Sequence, residues 1–239
     1  MVTDEKFADS VRQTMADLAN QYTQPTELRL TLSAVTKAVR RHVSGTDSAD
    51  ILIITSGEQF ESVAPTSPLA SKVDALLQEF GEGPCLSAAE GETFVRCNDL
   101  RSDQRWPNFG AAAAAEGVQS MLSFQLYTHG ARRAALNLLA TQRHAFTHEA
   151  EMVAAMLATH AATALIAHDK ELQFRSALAS RDIIGQAKGM IMERFSVDAV
   201  RAFELLVKLS QTSNQPVAQI AAEIVSRATT QGPSPKPPN

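Results

Sequence analysis

From Thr147 to Phe195 the chain contains no proline, the residue that most reliably stops a helix because it lacks an N–H and its ring clashes with the preceding turn. Thr147 is placed to cap a helix here. Glu149 and Glu151 fall in its first turn, where carboxylates favour the positive end of the helix dipole. At ~1.5 Å per residue, a helix over the whole stretch outreaches a small domain, so it is expected to link one unit to the next. Leu157, Ala161, Ala164, Leu165 and Leu172 mark a partly apolar seam, which His168 and Arg175 interrupt as a heptad. The pattern leaves two readings open: a two-stranded parallel coil between two copies, or a helix lying on its own domain.

Ahead of this stretch the texture changes repeatedly. Phe7, Val11, Met15, Leu18 and Tyr22 share one helical face, and after Pro25 so do Leu28, Leu32, Val35 and Val39. ADILIIT, Ala49 to Thr55, is a β-branched run that Ser56-Gly57 joins to QFESVA as a hairpin. LASKVDALLQEF is helical from about Leu69 to Phe80 and is closed by GEGP, Gly81 to Pro84. A strand lies within Glu92 to Cys97, DLRSDQRWPNF is loop into short helix, and AAAAAEGV is a helix ending at Gly117. SMLSFQLYT and AALNLLAT then read as two strands around the turn HGAR. Strands joined by tight turns pair antiparallel, and the helices between them need sheet faces to cover. The fold class is therefore α+β.

After Phe195 two shorter helices are legible. Ser196 is a candidate cap for one through DAVRAFELLVKLSQ, with Val200, Phe203, Leu206 and Val207 on its apolar side. The other follows Pro216 and buries Val217, Ile220, Ala221, Ile224 and Val225. No such helix can bury its stripe alone, so the end of the long helix and these two form a bundle. The tail TTQGPSPKPPN has no means of forming a core and is expected to be disordered.

Net charge is −4 and the sequence pI about 5.9, which gives no global attraction to nucleic acid or anionic membrane, so such a partner must be met locally. The N-terminus MVTDEKFADS lacks the apolar core of a signal peptide, and no uninterrupted run of about 18 apolar residues occurs. A cytoplasmic protein without a membrane partner is the expectation. Cys85 and Cys97 then need not be bridged.

Chemistry-bearing motifs are sparse. HExxH, paired CxxC and GxSxG are missing, GEGP lacks the spacing and lysine of a phosphate loop, and His144 with His148 straddle the start of a helix. The expectation is a protein that is not an enzyme. Cys85, set after a glycine-rich turn, and Trp106 are the candidate ligand contacts, each with a competing role as ordinary core. Between Arg181 and Val225 five basic residues meet five acidic ones. Arg181 and Lys188 are seven apart, about two turns, as are Arg201 and Lys208, so each pair shares a stripe. Such stripes suit phosphates; the other reading is a solvated face with intrahelical pairs such as Arg201 with Glu204. Gly185 and Gly189 each cost about 1 kcal/mol against alanine inside a helix. They share a low-relief face, where a second helix or a nucleic-acid backbone can approach.

RDIIGQAKGMIMERF with SVDAVRAFELLVKLSQ and QPVAQIAAEIV resembles the ANTAR domain, a three-helix output module of bacterial transcription antiterminators. GEGPCLSAAEGETFVRCNDL, DQRWPNF and SMLSFQLY, within Leu28 to Ala167, resemble a GAF domain, and the order is similar to actinobacterial regulators. The resemblance implies a GAF-like antiparallel sheet with helices on its faces, a long connecting helix, and an all-α ANTAR bundle. The divisions expected are 1–24 as a helical segment, 25–167 as GAF, 168–180 as connecting helix, 181–228 as ANTAR and 229–239 as tail. It further implies homodimers that bind structured RNA hairpins, with Arg181, Gln186, Lys188, Gly189, Arg194, Arg201 and Lys208 as the candidate contacts. A small ligand in the GAF domain is implied without being identified, and no cofactor is named.

Overall fold

The computed structural model describes residues 2–21, 28–55, 59–129 and 132–230. Tyr22, Pro25, the Ser56-Gly57 turn, Gly130 and Ala131 of the HGAR turn and the tail from Gln231 lie outside the described residues. Two compact units divide the chain, Met1–His168 and Asp169–Asn239. The first holds α1 (Val2–Gln21), α2 (Leu28–His42), β1 (Ser48–Thr55), β2 (Gln59–Val63), α3 (Pro68–Phe80), α4 (Pro84–Glu90), β3 (Phe94–Cys97), α5 (Pro107–Ala115), β4 (Ser120–His129) and β5 (Arg132–Ala140). α6 (His148–Phe195) begins there and ends in the second unit, which adds α7 (Ala199–Ser213) and α8 (Val217–Thr230).

The strands form one antiparallel sheet in the order β2-β1-β5-β4-β3. β1 is apolar from Ala49 to Ile54 apart from Asp50 because both of its faces are covered. Ala49, Ile51 and Ile53 join a core with α2 and α6, whereas Leu52 and Ile54 join a second core with α3, α4 and α5. β5 alternates in the same way, with Leu136 and Leu138 on the first side and Ala135 and Leu139 on the second. A one-residue slip would therefore exchange the two cores, which fixes the register.

GEGP does more than stop a helix. Gly81 closes α3 in the left-handed region at φ +63, its N–H bonded to the Leu77 carbonyl. Glu82 reaches across to α5, its Oε1 accepting the N–H groups of Asn108 at 2.6 Å and Phe109 at 2.9 Å, which satisfies donors that a helix start leaves open. Gly83, at φ +148, leaves room for Leu77, since a Cβ there would lie 2.2 Å from its Cδ2. Pro84 then opens α4 at a position that needs no N–H. This short helix is absent from the sequence reading, which treats the proline as an end.

Thr147 caps α6 as expected, its Oγ1 accepting the N–H of Ala150 at 3.2 Å. The proposed seam resolves differently from a coil: Leu157, Ala161, Ala164 and Leu165 are buried in the first core, on their own sheet. α6 also holds an 18-residue window of mean hydropathy 1.5, long and apolar enough by length and composition to cross a membrane, of which 44% is buried in the protein. Core packing accounts for part of that apolarity.

In the second unit Ala187, Ile191, Ala202, Leu206, Ile220 and Ala221 are buried together. Asp198, not Ser196, caps α7. Its backbone is extended and its Oδ1 accepts the Arg201 N–H at 2.8 Å, while Ser196 sits at φ +53 in the turn that ends α6. The apolar side of α7 is also rotated from the expected one. Ala202 and Leu206 are buried, but Val200 is 70% exposed and Phe203 43% exposed. Ala187 and Ala202 are small enough for close helix approach, and that approach selects which edge of the α7 stripe is covered.

Candidate nucleic-acid interface

On α6, successive residues turn by about 100°. Relative to buried Ala187, this spacing puts Arg181 and Lys188 on one flank, Gln186 on the other, and Gly185 with Gly189 opposite the core. Arg181, Gln186, Gly189, Arg194, Arg201 and Lys208 are exposed, and Lys188 is half-buried. Arg181, Lys188, Arg194 and Lys208 form no ion pair among the described residues. Arg201 does: its Nη1 lies 2.8 Å from Glu204 Oε2, an exposed pair of the weak kind anticipated for a solvated face. Arg201 and Lys208 also fall on the flank of α7 opposite Phe203, so the two basic stripes are not one surface.

The glycines need a new explanation. A Cβ at Gly185 or Gly189 meets no atom within 4 Å, so nothing in this unit packs on that face. Gly189→Leu is therefore expected to keep the bundle folded and raise its melting midpoint, because glycine costs about 1 kcal/mol against a good helix former. Circular dichroism checks this, and a lowered midpoint would contradict the open face.

Lys188 also meets an aromatic ring. Its Nζ lies 5.9 Å from the centroid of Phe203, within the range of a cation–π contact. The expectation that Phe203 belongs to the core is thus corrected.

In the first unit the candidate ligand residues are interior. Trp106 is buried, its Nε1–H donating to Ser87 Oγ at 3.2 Å, with the Arg105 guanidinium 4.1 Å over its ring. Cys85 is fully buried, and burial, then the nearby Asp74 and Asp50, push its thiol up. Burial pushes Cys97 up to about 12, so neither is a poised thiolate. Both cysteines are free.

Beside Cys85 lies a polar row that sequence reasoning missed. Ser123, Asn137 and Asp50 stand in register across β4, β5 and β1. Ser123 Oγ donates to Asn137 Oδ1 at 2.9 Å, and Asn137 Nδ2 donates to Asp50 Oδ1 at 2.9 Å. The other Asp50 oxygen and both oxygens of Asp74 are buried without hydrogen-bond partners. Burial, then the neighbouring Asp74, raise the Asp50 carboxyl well above its ordinary range. Burial raises Asp74 to about 6.

A sheet with helices on both faces comes first in the chain and a three-helix bundle second, so the protein carries two domains of different fold class. The GAF family model matches residues 26–166 and the ANTAR family model residues 172–225, so the chain belongs to the GAF family and carries an ANTAR domain. No curated protein matches it. Among solved structures, the GAF domain of a phosphoenolpyruvate-protein phosphotransferase from Coxiella burnetii is 20% identical, with a TM-score of 0.53 over 70% of this chain and 96% of that one. A domain of a two-component sensor histidine kinase protein from Sinorhizobium meliloti is 17% identical, with a TM-score of 0.52 over 63% and 98%. The free methionine-R-sulfoxide reductase from Neisseria meningitidis is 13% identical, with a TM-score of 0.53 over 69% and 91%. At these identities the likeness concerns the fold alone.

Proposed function

We propose that this protein is a cytoplasmic, signal-responsive RNA-binding regulator, whose GAF domain senses a small ligand and whose ANTAR unit grips structured RNA. It acts by transcription antitermination or leader-RNA control. The observation that carries this reading is the flank of α6, where Arg181 and Lys188 lie without ion pairs beside two glycines that no neighbour covers. Such a face suits close approach by a phosphate backbone.

The protein works as a homodimer in this reading. The surface offered for it is on α6 outside the buried seam: Met152, Met156 and Ile166 are exposed in the first unit. In this reading the chain is not an enzyme, and the two buried, free thiols serve as core. The alternative, a GAF dimer with a protein-interaction bundle, draws on a groove between α7 and α8 lined by Leu209, Ile220 and Ile224.

Sedimentation of the full chain with an RNA of two loop-bearing hairpins tests both readings, the expected result being one dimer per RNA. Lys188→Ala is expected to weaken binding and lower the slope of log affinity against log salt by about one, with helicity unchanged. Gly189→Leu, although more stable, is expected to bind RNA less well. Wild-type affinity in both variants would take RNA binding off this face of α6, and capture of a protein with no RNA binding by the wild type would favour the alternative.

A further inference from the structure

The basic flank of α6 supplies charge but gives no account of how a base would be read, and sequence-specific RNA recognition commonly stacks unpaired bases on aromatic side chains. Phe174, Phe195 and Phe203 are exposed aromatics of the second unit, and Phe203 is the one of these with a lysine over its ring. Phe203 is 43% exposed on α7, on the flank that faces Lys188, whose Nζ sits 5.9 Å from the ring centroid. The arrangement follows from packing. Ala187 and Ala202 are buried small residues, and Lys188 and Phe203 are the next residue along each helix, so both side chains leave the same helix–helix junction. Phe203 is not one of the residues buried in the bundle core, and a large part of its apolar ring remains in solvent. Arg181 lies two turns from Lys188 on the same flank.

We infer that Phe203 is a base-stacking platform: an unpaired RNA base seats on its ring beside Lys188, which holds the adjoining phosphate. The inference rests on the RNA reading above and deepens it by dividing two tasks. Lys188 supplies the salt-dependent part of binding and Phe203 the part that requires an unpaired base. An RNA base fits better than an apolar protein side chain because a cation borders the ring, and a cation adds attraction to a nucleotide but none to a hydrocarbon.

The test uses the full chain and hairpin RNAs that carry either intact loops or loops with single abasic positions. Phe203→Ala is expected to lower affinity for intact loops by about 10- to 100-fold, leaving the salt slope unchanged. Phe203→Tyr and Phe203→Trp are expected to restore most of that loss, whereas Phe203→Leu, which keeps apolar bulk without a π face, is not. One abasic position should weaken wild type to the level of Phe203→Ala and add little to that variant. 2-Aminopurine at that position should be quenched by wild type and not by Phe203→Ala. Several results would overturn the inference. Additive losses in the cycle, or wild-type binding by Phe203→Leu, mean that no base stacks there, with the RNA reading intact. A change in self-association without a change in RNA affinity makes Phe203 a contact between copies. Failure of wild type to bind any hairpin removes both readings together.

Discussion

Raising the pH from about 4 to about 7.5 is expected to weaken the first unit, opposite in sign to ordinary acid denaturation. Asp74 is 5% exposed on α3 with neither oxygen hydrogen-bonded, and its carboxyl is raised from 3.8 to about 6. A folded state with a raised carboxyl pKa binds more protons than the unfolded chain between those two values. Stability is therefore fully present below 3.8 and falls as pH rises toward 6, after which it levels off. At roughly 1.4 kcal/mol per pH unit the loss is on the order of 3 kcal/mol. Asp50 pulls in the same direction, because burial and the neighbouring Asp74 raise it too. Asp103 and His42 pull the other way: hydrogen bonds to Arg105 hold Asp103 below its ordinary value, and burial, then Arg41, lower His42, so the contribution of each is lost as pH falls. Comparing Asp74→Asn with wild type isolates the first effect. Urea unfolding followed by Trp106, the single tryptophan and a member of the same core as α3, should show a wild-type midpoint that is higher at low pH. Asp74→Asn should flatten the curve and exceed wild type near pH 7.5. Parallel curves for the two proteins would show that Asp74 titrates as if solvated.

The buried aspartates show where the sequence stops being informative. β1 and β5 were legible because apolar residues buried on both faces leave a continuous run. The lone polar residues inside those runs, Asp50 in ADILIIT and Asn137 in AALNLLAT, are a signal that a close reading can notice. That they face each other is a matter of register, which depends on long-range pairing that no local pattern encodes. α4 was missed for a related reason: proline after glycine reads equally as the end of one helix or the first residue of another. In the second unit the spacing of α7 correctly gave a helix but assigned Phe203 to its buried side. Amphipathic spacing defines an arc, and only the partner helix decides which edge of it is covered. The same limit applied to α6, whose apolar positions served its own sheet.

Leu206→Ala is expected to unfold the second unit. Three of its six buried core residues are alanines, so Ile191, Leu206 and Ile220 supply most of the buried volume, and Leu206 is 0% exposed among them. Truncating a buried leucine costs about 2–5 kcal/mol through lost transfer energy and the cavity left behind. A unit this small rarely has more than about 3–5 kcal/mol in total from one core. Circular dichroism should show helix loss at a temperature where wild type is folded, and hairpin RNA binding should fall, by up to about 30-fold, as the folded fraction drops. Leu209→Ala, at a position 50% exposed on the same helix, is the matched control and should change neither by much. A folded Leu206→Ala would mean that the three helices draw their stability from a surface beyond this core, such as the outward side of α6 in a dimer. In that case raising protein concentration should raise the melting midpoint of both proteins. The comparison also sets the standard for the surface variants: Lys188→Ala and Phe203→Ala can be read as losses of contact only where helicity and midpoint match wild type.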